Sequence, residues 1–162
     1  MNLPMPMIEL TTVINAPIER CFDLARSIDL HKLSTKGTEE EAIAGVTSGL
    51  IGKGEQVTWR AKHFGISQTL TSKITEFEYP YYFRDEMIKG AFNMIRHDHL
   101  FQTSGDKTIM KDKFYFESPG WLLGMLFNKA ILINYLRNLL IKRNQIIKEV
   151  AENRRWRTIL NA

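Results

Sequence analysis

Cysteine is nearly absent from this sequence, which has a single one, Cys21, among 162 residues. An intrachain disulfide and a CxxC metal or redox motif each need at least two cysteines, so both are excluded. Cys21 lies in a helical pattern, where a small buried hydrophobic side chain is expected rather than a nucleophile.

Long hydrophobic runs are also missing. A transmembrane helix needs about 20 mostly apolar residues, and the most apolar segment, residues 121–141, is interrupted by Asn128, Lys129, Asn134 and Arg137. The opening MNLPMPM lacks the basic and apolar regions of a secretory signal. We expect no integral membrane segment and a cytoplasmic location.

The sequence also lacks the motifs of a nucleotide-binding loop and of a catalytic serine. In GVTSGLIGKGE, the positions where a Walker motif requires Gly and Ser or Thr hold Thr47 and Gly54. The glycines of this stretch suit a turn between strands, and no GxSxG motif occurs. We predict no cofactor.

The composition is that of a globular chain, with 44% apolar and 25% charged residues. One domain over 1–162 is expected, with flexible ends at 1–6 and 154–162. The net charge of +4 is not gathered in one block. The tail RRWRTILNA could contact anionic lipid or nucleic acid. Three arginines around one tryptophan more often form a solvated helix end, so we expect at most weak contact with anionic membranes and no nucleic-acid partner.

The residue pattern predicts the order β-α-α-β-β-β-β-β-β-α. Alternation predicts a first strand over 7–15, and NAPIERCFDLARS predicts a helix with Asn15 near its N-cap. A second short helix is expected at 28–33. Six further strands are predicted at 39–47, 54–63, 66–77, 81–89, 93–103 and 107–117, and one long helix at 120–153.

This order predicts an α+β fold. Consecutive strands joined by short turns form a curved antiparallel sheet of about seven strands, which needs one face covered. The long C-terminal helix is the obvious cover. A twisted sheet around one helix leaves space between them, where a cavity is expected.

The turn Ser104–Lys107 sets the register of the last two strands. If Thr103 faces Thr108, then His99 faces Asp112 and His97 faces Phe114. The same register places Arg96 and Asp98 on the opposite face, which suits water. Two of the four histidines therefore share the apolar face of the sheet.

The histidine pair has several interpretations. His97-x-His99 with Asp112, and with Asp85 if the register of its strand allows, could bind a metal. Because the spacing along the chain specifies no third protein ligand, we predict that no metal is bound. His99 oriented by Asp112 could also act as a general base, orient the polar end of a ligand, or form a purely structural pair.

The assembled segments resemble the START-like superfamily, also called SRPBCC, which has a helix-grip fold. The likeness lies in INAPIERCFDLARSID, GLIGKGEQVTWRAKHFG, EYPYYFRDEMIKGAFNMIRHDHLF and MKDKFYFESPGWLLG. It spans about 7–150 and is most similar to a bacterial branch grouped with polyketide cyclase/dehydrase-like proteins. Rieske-cluster ligands are missing, which excludes a ring oxygenase.

The resemblance implies a hydrophobic cavity under the C-terminal helix. We expect it to bind a small hydrophobic or aromatic molecule; the alternative is a cyclase/dehydrase-type enzyme with His99 and Asp112 as acid and base on a polyketide-like substrate. The expected ligand-binding residues are Trp59, Leu70, Phe83, Asp85, Met87, Ile95, His97, His99, Phe101, Met110, Asp112, Phe114, Phe116, Met125, Leu132 and Leu136.

Overall fold

A computed structural model describes residues 5–125 and 129–161 of the chain, and of Met125 only the backbone. Its centre is a seven-stranded antiparallel sheet with the strand order β1-β7-β6-β5-β4-β3-β2. The strands are β1 Met7–Ile14, β2 Glu41–Gly45, β3 Gln56–His63, β4 Ile66–Glu78, β5 Tyr82–Lys89, β6 Met94–Ser104 and β7 Lys107–Glu117. The predicted α+β helix-grip architecture is confirmed.

The sheet curves because its ladders contain irregularities. Pairing shifts between Ala42 and Ala44 of β2, and at two places along β4, near Ser72 and near Ile74. Such bulges bend a strand and increase its twist. The sheet therefore forms a concave surface on which helices pack.

Two short helices follow β1, as predicted: α1 at Ile18–Ala25 and α2 at Ile28–Ser34. The Ser27 hydroxyl caps α2 by accepting a hydrogen bond from Leu30 N at 3.2 Å. The predicted cap of α1 is wrong, because its N-cap residue is Pro17. The backbone N–H of Asn15 instead donates to Glu152 Oε1, at 2.8 Å.

The C-terminal helical region comprises α3 at Gly120–Met125 and α4 at Lys129–Glu152. The sequence predicts one continuous helix over 120–153, and residues 126–128 lie outside the described part. Buried Leu132, Leu140, Ile147 and Val150 of α4 keep the helical spacing that the sequence indicated. No helix within the described residues combines the length and apolarity that crossing a bilayer would require.

The segment after α4 differs from the predicted flexible tail. Residues Arg155–Leu160 form a further helix, α5. Trp156, Ile159 and Leu160 of this helix pack against the main core. The apolar residues of the tail supply a packing face, which outweighs its basic charge in deciding where this segment lies.

The predicted pairing of β6 with β7 is confirmed from Met94–Glu117 to Ser104–Lys107. It places the histidines inside, as expected from alternation. The expectation that Asp98 faces water is wrong, since only 6% of it is exposed. Asp98 lies instead among Tyr82, Arg84 and Arg96 on the outer face of the sheet.

Candidate functional site

A cavity of about 270 Å³ lies between the concave face of the sheet and the C-terminal helix. Most of its wall is apolar. Side chains from the middle strands form one side, among them Trp59, Ile74 and Phe83, and Leu132 and Leu136 of α4 form part of the other. Ligand-binding pockets are typically apolar clefts with a few placed polar groups, and this cavity has that character.

Asp112 anchors the buried polar part of the wall. Its side chain has no exposed surface, and Oδ1 lies 2.8 Å from His97 Nε2. The same oxygen is 3.2 Å from His99 Nδ1, a nitrogen that makes no hydrogen bond to any residue the structure describes. One carboxylate oxygen thus faces a nitrogen of each imidazole.

Helix α4 holds the other side of Asp112. Asn144 Nδ2 donates a hydrogen bond to Asp112 Oδ2 at 2.7 Å, and Arg143 Nη1 lies 3.5 Å from Oδ1. Arg143 Nη2 also donates to the backbone oxygen of Ala25 at 3.0 Å. The carboxylate therefore joins β7 to α4, and the guanidinium joins α4 to α1.

His99 has its hydrogen bond on the other side of its ring. Its Nε2 lies 2.8 Å from Asp85 Oδ2, on the neighbouring strand β5. The ring is stacked on Phe83 at a centroid distance of 4.1 Å and lies against His97 at 3.7 Å. The expected contact between His99 and Asp112 is present at 3.2 Å, but the hydrogen bonds pair His97 with Asp112 and His99 with Asp85.

Protonation in this cluster follows from burial and contact. Burial would raise the pKa of Asp112, but His97, His99 and Arg143 hold that pKa well below its usual range. Burial would also raise the pKa of Asp85, but the nearby His99 and His97 lower that pKa. Burial, followed by the nearby His99, lowers the pKa of His97. At neutral pH both carboxylates are ionised, and His97 is neutral.

A second polar group of residues lines the same cavity. His31 Nε2 lies 3.1 Å from Glu40 Oε1, and His63 Nδ1 lies 2.6 Å from the Tyr135 hydroxyl. Burial would raise the pKa of Glu40, but the hydrogen bond and charge of His31 lower it; burial lowers the pKa of His63. The ring of His31 lies 4.3 Å from that of Trp59.

The structure brings most of the predicted ligand-binding residues to the cavity wall, although their binding role stays a prediction. The wall includes Trp59, Leu70, Phe83, Asp85, Ile95, His97, His99, Phe114, Leu132 and Leu136. Gln68 and Ser72 of β4 add polar groups, as alternation along that strand predicts.

The other predicted residues are not part of the described wall. Phe101, Met110 and Phe116 face inward but are buried in core packing, with at most 5% of each exposed. Asp112 lies behind the imidazoles, and Met87 lies near the end of β5 beside Gly90. The Met125 side chain lies outside the described part. Alternation identifies the inner face of a strand, but not which inner positions remain uncovered.

Several wall residues were missed from the sequence: His31, Glu40, His63, Tyr135 and Arg143. The sequence contained a signal for the two of these residues that lie in α4. Tyr135 and Arg143 are eight residues apart, and Arg143 with Asn144 interrupts the apolar stripe of α4, which indicates buried polar partners. No local pattern indicated the contact between His63 and Tyr135, which are 72 residues apart.

No family model matches this sequence, and no curated protein matches it either. Solved structures do match. The Zhui aromatase/cyclase from Streptomyces sp. R1128 superposes with a TM-score of 0.71 at 16% identity, over 93% of this chain and 95% of that one. The protein TTHA0849 from Thermus thermophilus has a TM-score of 0.66 at 21% identity, over 88% of this chain and 97% of that one.

A START superfamily protein from Mycobacterium smegmatis gives a TM-score of 0.64 at 12% identity, over 89% of this chain and 98% of its own length. These matches cover nearly the whole of each chain. At such low identity they establish the START-like fold and nothing about the ligand or the chemistry.

Proposed function

We propose that this START-like chain binds a small hydrophobic or aromatic molecule in the cavity between the sheet and α4. The observation that carries the proposal is the cavity of about 270 Å³, whose wall is mostly apolar and also contains two groups of polar side chains. Burial of apolar surface supplies affinity, at roughly 25 cal/mol per Å². A planar molecule fits the stacked aromatic and imidazole rings of the wall.

The buried polar cluster gives the ligand an orientation. His97, His99 and Arg143 reach the wall, and Asp112 holds all three from behind. Because carboxylates hold both imidazoles, the rings keep their orientation without a ligand, and His97 offers Nδ1, which Asp112 does not engage. A ligand with one polar end would place that end here and its apolar part toward Leu132 and Leu136.

Binding is tested with the dye 1-anilinonaphthalene-8-sulfonate, titrated into protein kept in EDTA. Leu136→Trp fills the cavity from α4, whereas Ile141→Trp adds the same ring at a position of α4 that is 37% exposed. We expect the first variant to weaken dye binding about tenfold or more, which corresponds to about 1.4 kcal/mol. The second variant should bind like the wild type.

Native mass spectrometry of protein purified from cells complements the titration, since a tightly held molecule should copurify and be displaced by the dye. Equal dye affinity in both variants would place the dye outside the cavity. Failure of the wild type to bind the dye, together with protein free of any small molecule, would overturn the proposal.

The alternative is a cyclase/dehydrase-type enzyme acting on a polyketide-like substrate. It is favoured by imidazole–carboxylate pairs at a cavity wall, which are competent for proton transfer, and by the match to a protein named an aromatase/cyclase. In this structure Asp85 is the hydrogen-bonded carboxylate of His99. His99 would therefore work with Asp85 as well as with Asp112.

A linear poly-β-ketone thioester tests this alternative, with ring formation followed by mass spectrometry. His99→Gln should abolish turnover while dye affinity stays within about twofold, because catalysis needs a titrating group and binding does not. His63→Gln, also at the cavity wall, serves as the matched control. Absence of turnover by the wild type, or equal turnover by wild type and His99→Gln, would contradict enzymatic use of His99.

A further inference from the structure

We propose that Asp85, His97 and His99 bind a divalent transition-metal ion, such as Zn²⁺, at the cavity wall. Spacing along the chain supplied only two imidazoles, and the sequence therefore predicted no metal. The pairing of β5 with β6, which sets Asp85 opposite His97, supplies a third ligand. Metal binding by these three residues does not require the proposed organic ligand.

The three side chains are close enough to share an ion. One ligand atom from each lies within 4.8 Å of the others. Zinc is bound at about 2.0–2.2 Å by histidine nitrogen and carboxylate oxygen, so its ligand atoms lie roughly 3–4 Å apart. Small movements of these side chains, on the order of an ångström, suffice to bring their ligand atoms to that spacing. Two imidazoles with one carboxylate form a ligand set used by zinc and by non-haem iron.

Asp112 provides the two histidines with the carboxylate partner that metal-binding histidines usually have. Its Oδ1 faces Nε2 of His97 and Nδ1 of His99. Each ring therefore keeps one nitrogen that Asp112 does not engage: Nδ1 of His97 and Nε2 of His99. A buried carboxylate behind a histidine fixes the ring and its tautomer and makes the ring a better ligand. Asn144 and Arg143 hold that carboxylate in turn.

The charge of the cluster also favours a cation. Two carboxylates, Asp85 and Asp112, lie here beside one guanidinium, that of Arg143. Carboxylate oxygens and imidazole nitrogens are ligands that divalent transition metals accept, and a bound cation would add positive charge beside the two carboxylates. Arg143 lies against Asp112, whereas Asp85 hydrogen-bonds to the His99 ring. A cation would take the place of the proton between His99 and Asp85.

The site would keep one coordination position open. Asp85, His97 and His99 all form part of the cavity wall, so the side of the ion away from them faces the cavity. Three protein ligands and an open position are typical of zinc sites that bind water or a ligand atom. An oxygen or nitrogen at the polar end of a cavity ligand could complete the coordination.

The test uses full-length protein without a histidine tag, stripped with a chelator. Titration with Co²⁺ should produce visible d–d absorption that saturates at one ion per chain, and Zn²⁺ should displace it. Asp85→Asn and His99→Gln should each weaken Zn²⁺ binding by more than about 100-fold. Asp112→Asn should weaken it by roughly 10–100-fold, the usual effect of losing an orienting partner.

His31→Gln and His63→Gln are the matched controls, since these histidines line the cavity outside the cluster. Both should bind Zn²⁺ like the wild type. Asp85→Asn is nearly isosteric, and the Asp85 side chain is 27% exposed, so circular dichroism should show an unchanged fold. Absence of Co²⁺ absorption in the wild type, or unchanged Zn²⁺ affinity in folded Asp85→Asn and His99→Gln, would overturn the proposal.

Discussion

Asp112 shows how much one side chain can organise. Its carboxylate has no exposed surface, yet it contacts two imidazoles, an amide and a guanidinium. A buried carboxylate is tolerated only when its oxygens are satisfied and its charge is balanced. At this residue the stability of the fold and the properties of the cavity wall depend on the same contacts.

Replacing Asp112 by Asn should destabilise the protein strongly. The substitution removes the charge that balances Arg143, and losing one member of a buried ion pair costs about 3–5 kcal/mol. Urea unfolding followed by circular dichroism measures the effect. Asp106→Asn makes the same change at an exposed turn position and should stay within about 0.5 kcal/mol of the wild type. Similar losses for both variants would contradict the structural role of Asp112.

Tyr82 should titrate far above an ordinary tyrosine. Burial, with the hydrogen bond that its hydroxyl donates to Asp98 at 2.7 Å, raises its pKa from 10.0 to about 12. Because the folded state retains this proton, the resulting stabilisation is complete below about pH 10 and is lost as pH rises through about 12. Phenolate absorbance measures the titration. Tyr82→Phe should remove a component near pH 12, and loss of a component near pH 10 instead would refute the assignment.

At the scale of elements, α5 owes its position to packing and a cation–π contact. The Arg20 guanidinium of α1 lies 4.1 Å from the Trp156 ring centre and donates to the oxygen of Ala151, at 2.9 Å. The short helix thus docks on α1 through an aromatic residue and not through its charge. Its arginines at 155 and 157 stay exposed, and weak contact with anionic membranes through this tail stays a prediction.

Trp156→Ala should therefore cost stability, at about 1–3 kcal/mol, because the ring is half-buried and covers a guanidinium. Arg155→Ala, on an exposed position of the same helix, should change the free energy of unfolding by less than about 0.5 kcal/mol. Thermal and urea unfolding compare the two variants. If Trp156→Ala unfolds like the wild type, α5 does not depend on this contact.

At the scale of the whole molecule, the sheet has a protected centre and two edges. β6 and β7 pair over their full lengths, and β1 is added to the far side of β7. β2 is the edge strand at the other end, and its residues are mostly exposed. Local opening is expected where few apolar contacts cover the backbone hydrogen bonds.

Amide hydrogen exchange should show this difference in protection between the inner strands and the edge strand β2. Amides of β6 and β7 should exchange at rates set by global unfolding, and those of β2 should exchange well before them. Mass spectrometry of peptic fragments resolves the strands. Adding Zn²⁺ should slow exchange in β5 and β6 if the ion bridges Asp85 with the histidines, whereas β2 serves as the internal control. Equal protection of all strands would contradict the expected difference between β2 and the pair of β6 and β7.

The sequence alone determined the order of elements, the α+β class and the register of β6 with β7. These depend on period-2 alternation and a four-residue turn, which are local properties of the chain. Asp112 and the two histidines were placed correctly on the inner face for the same reason. The packing of the tail was not predicted, because its charge is visible in the sequence, whereas the surface that receives Trp156 is not.

Tertiary structure alone decided which inward side chains remain at a cavity wall and which carboxylate pairs with which imidazole. The register of β5 against β6, left open by the sequence, brought Asp85 to His99, and α4 brought Arg143 and Asn144 to Asp112. Side-chain direction along a strand is a local property with a period of two residues. Contacts between distant elements depend on how the curved sheet and the helix pack, which no short stretch of sequence specifies.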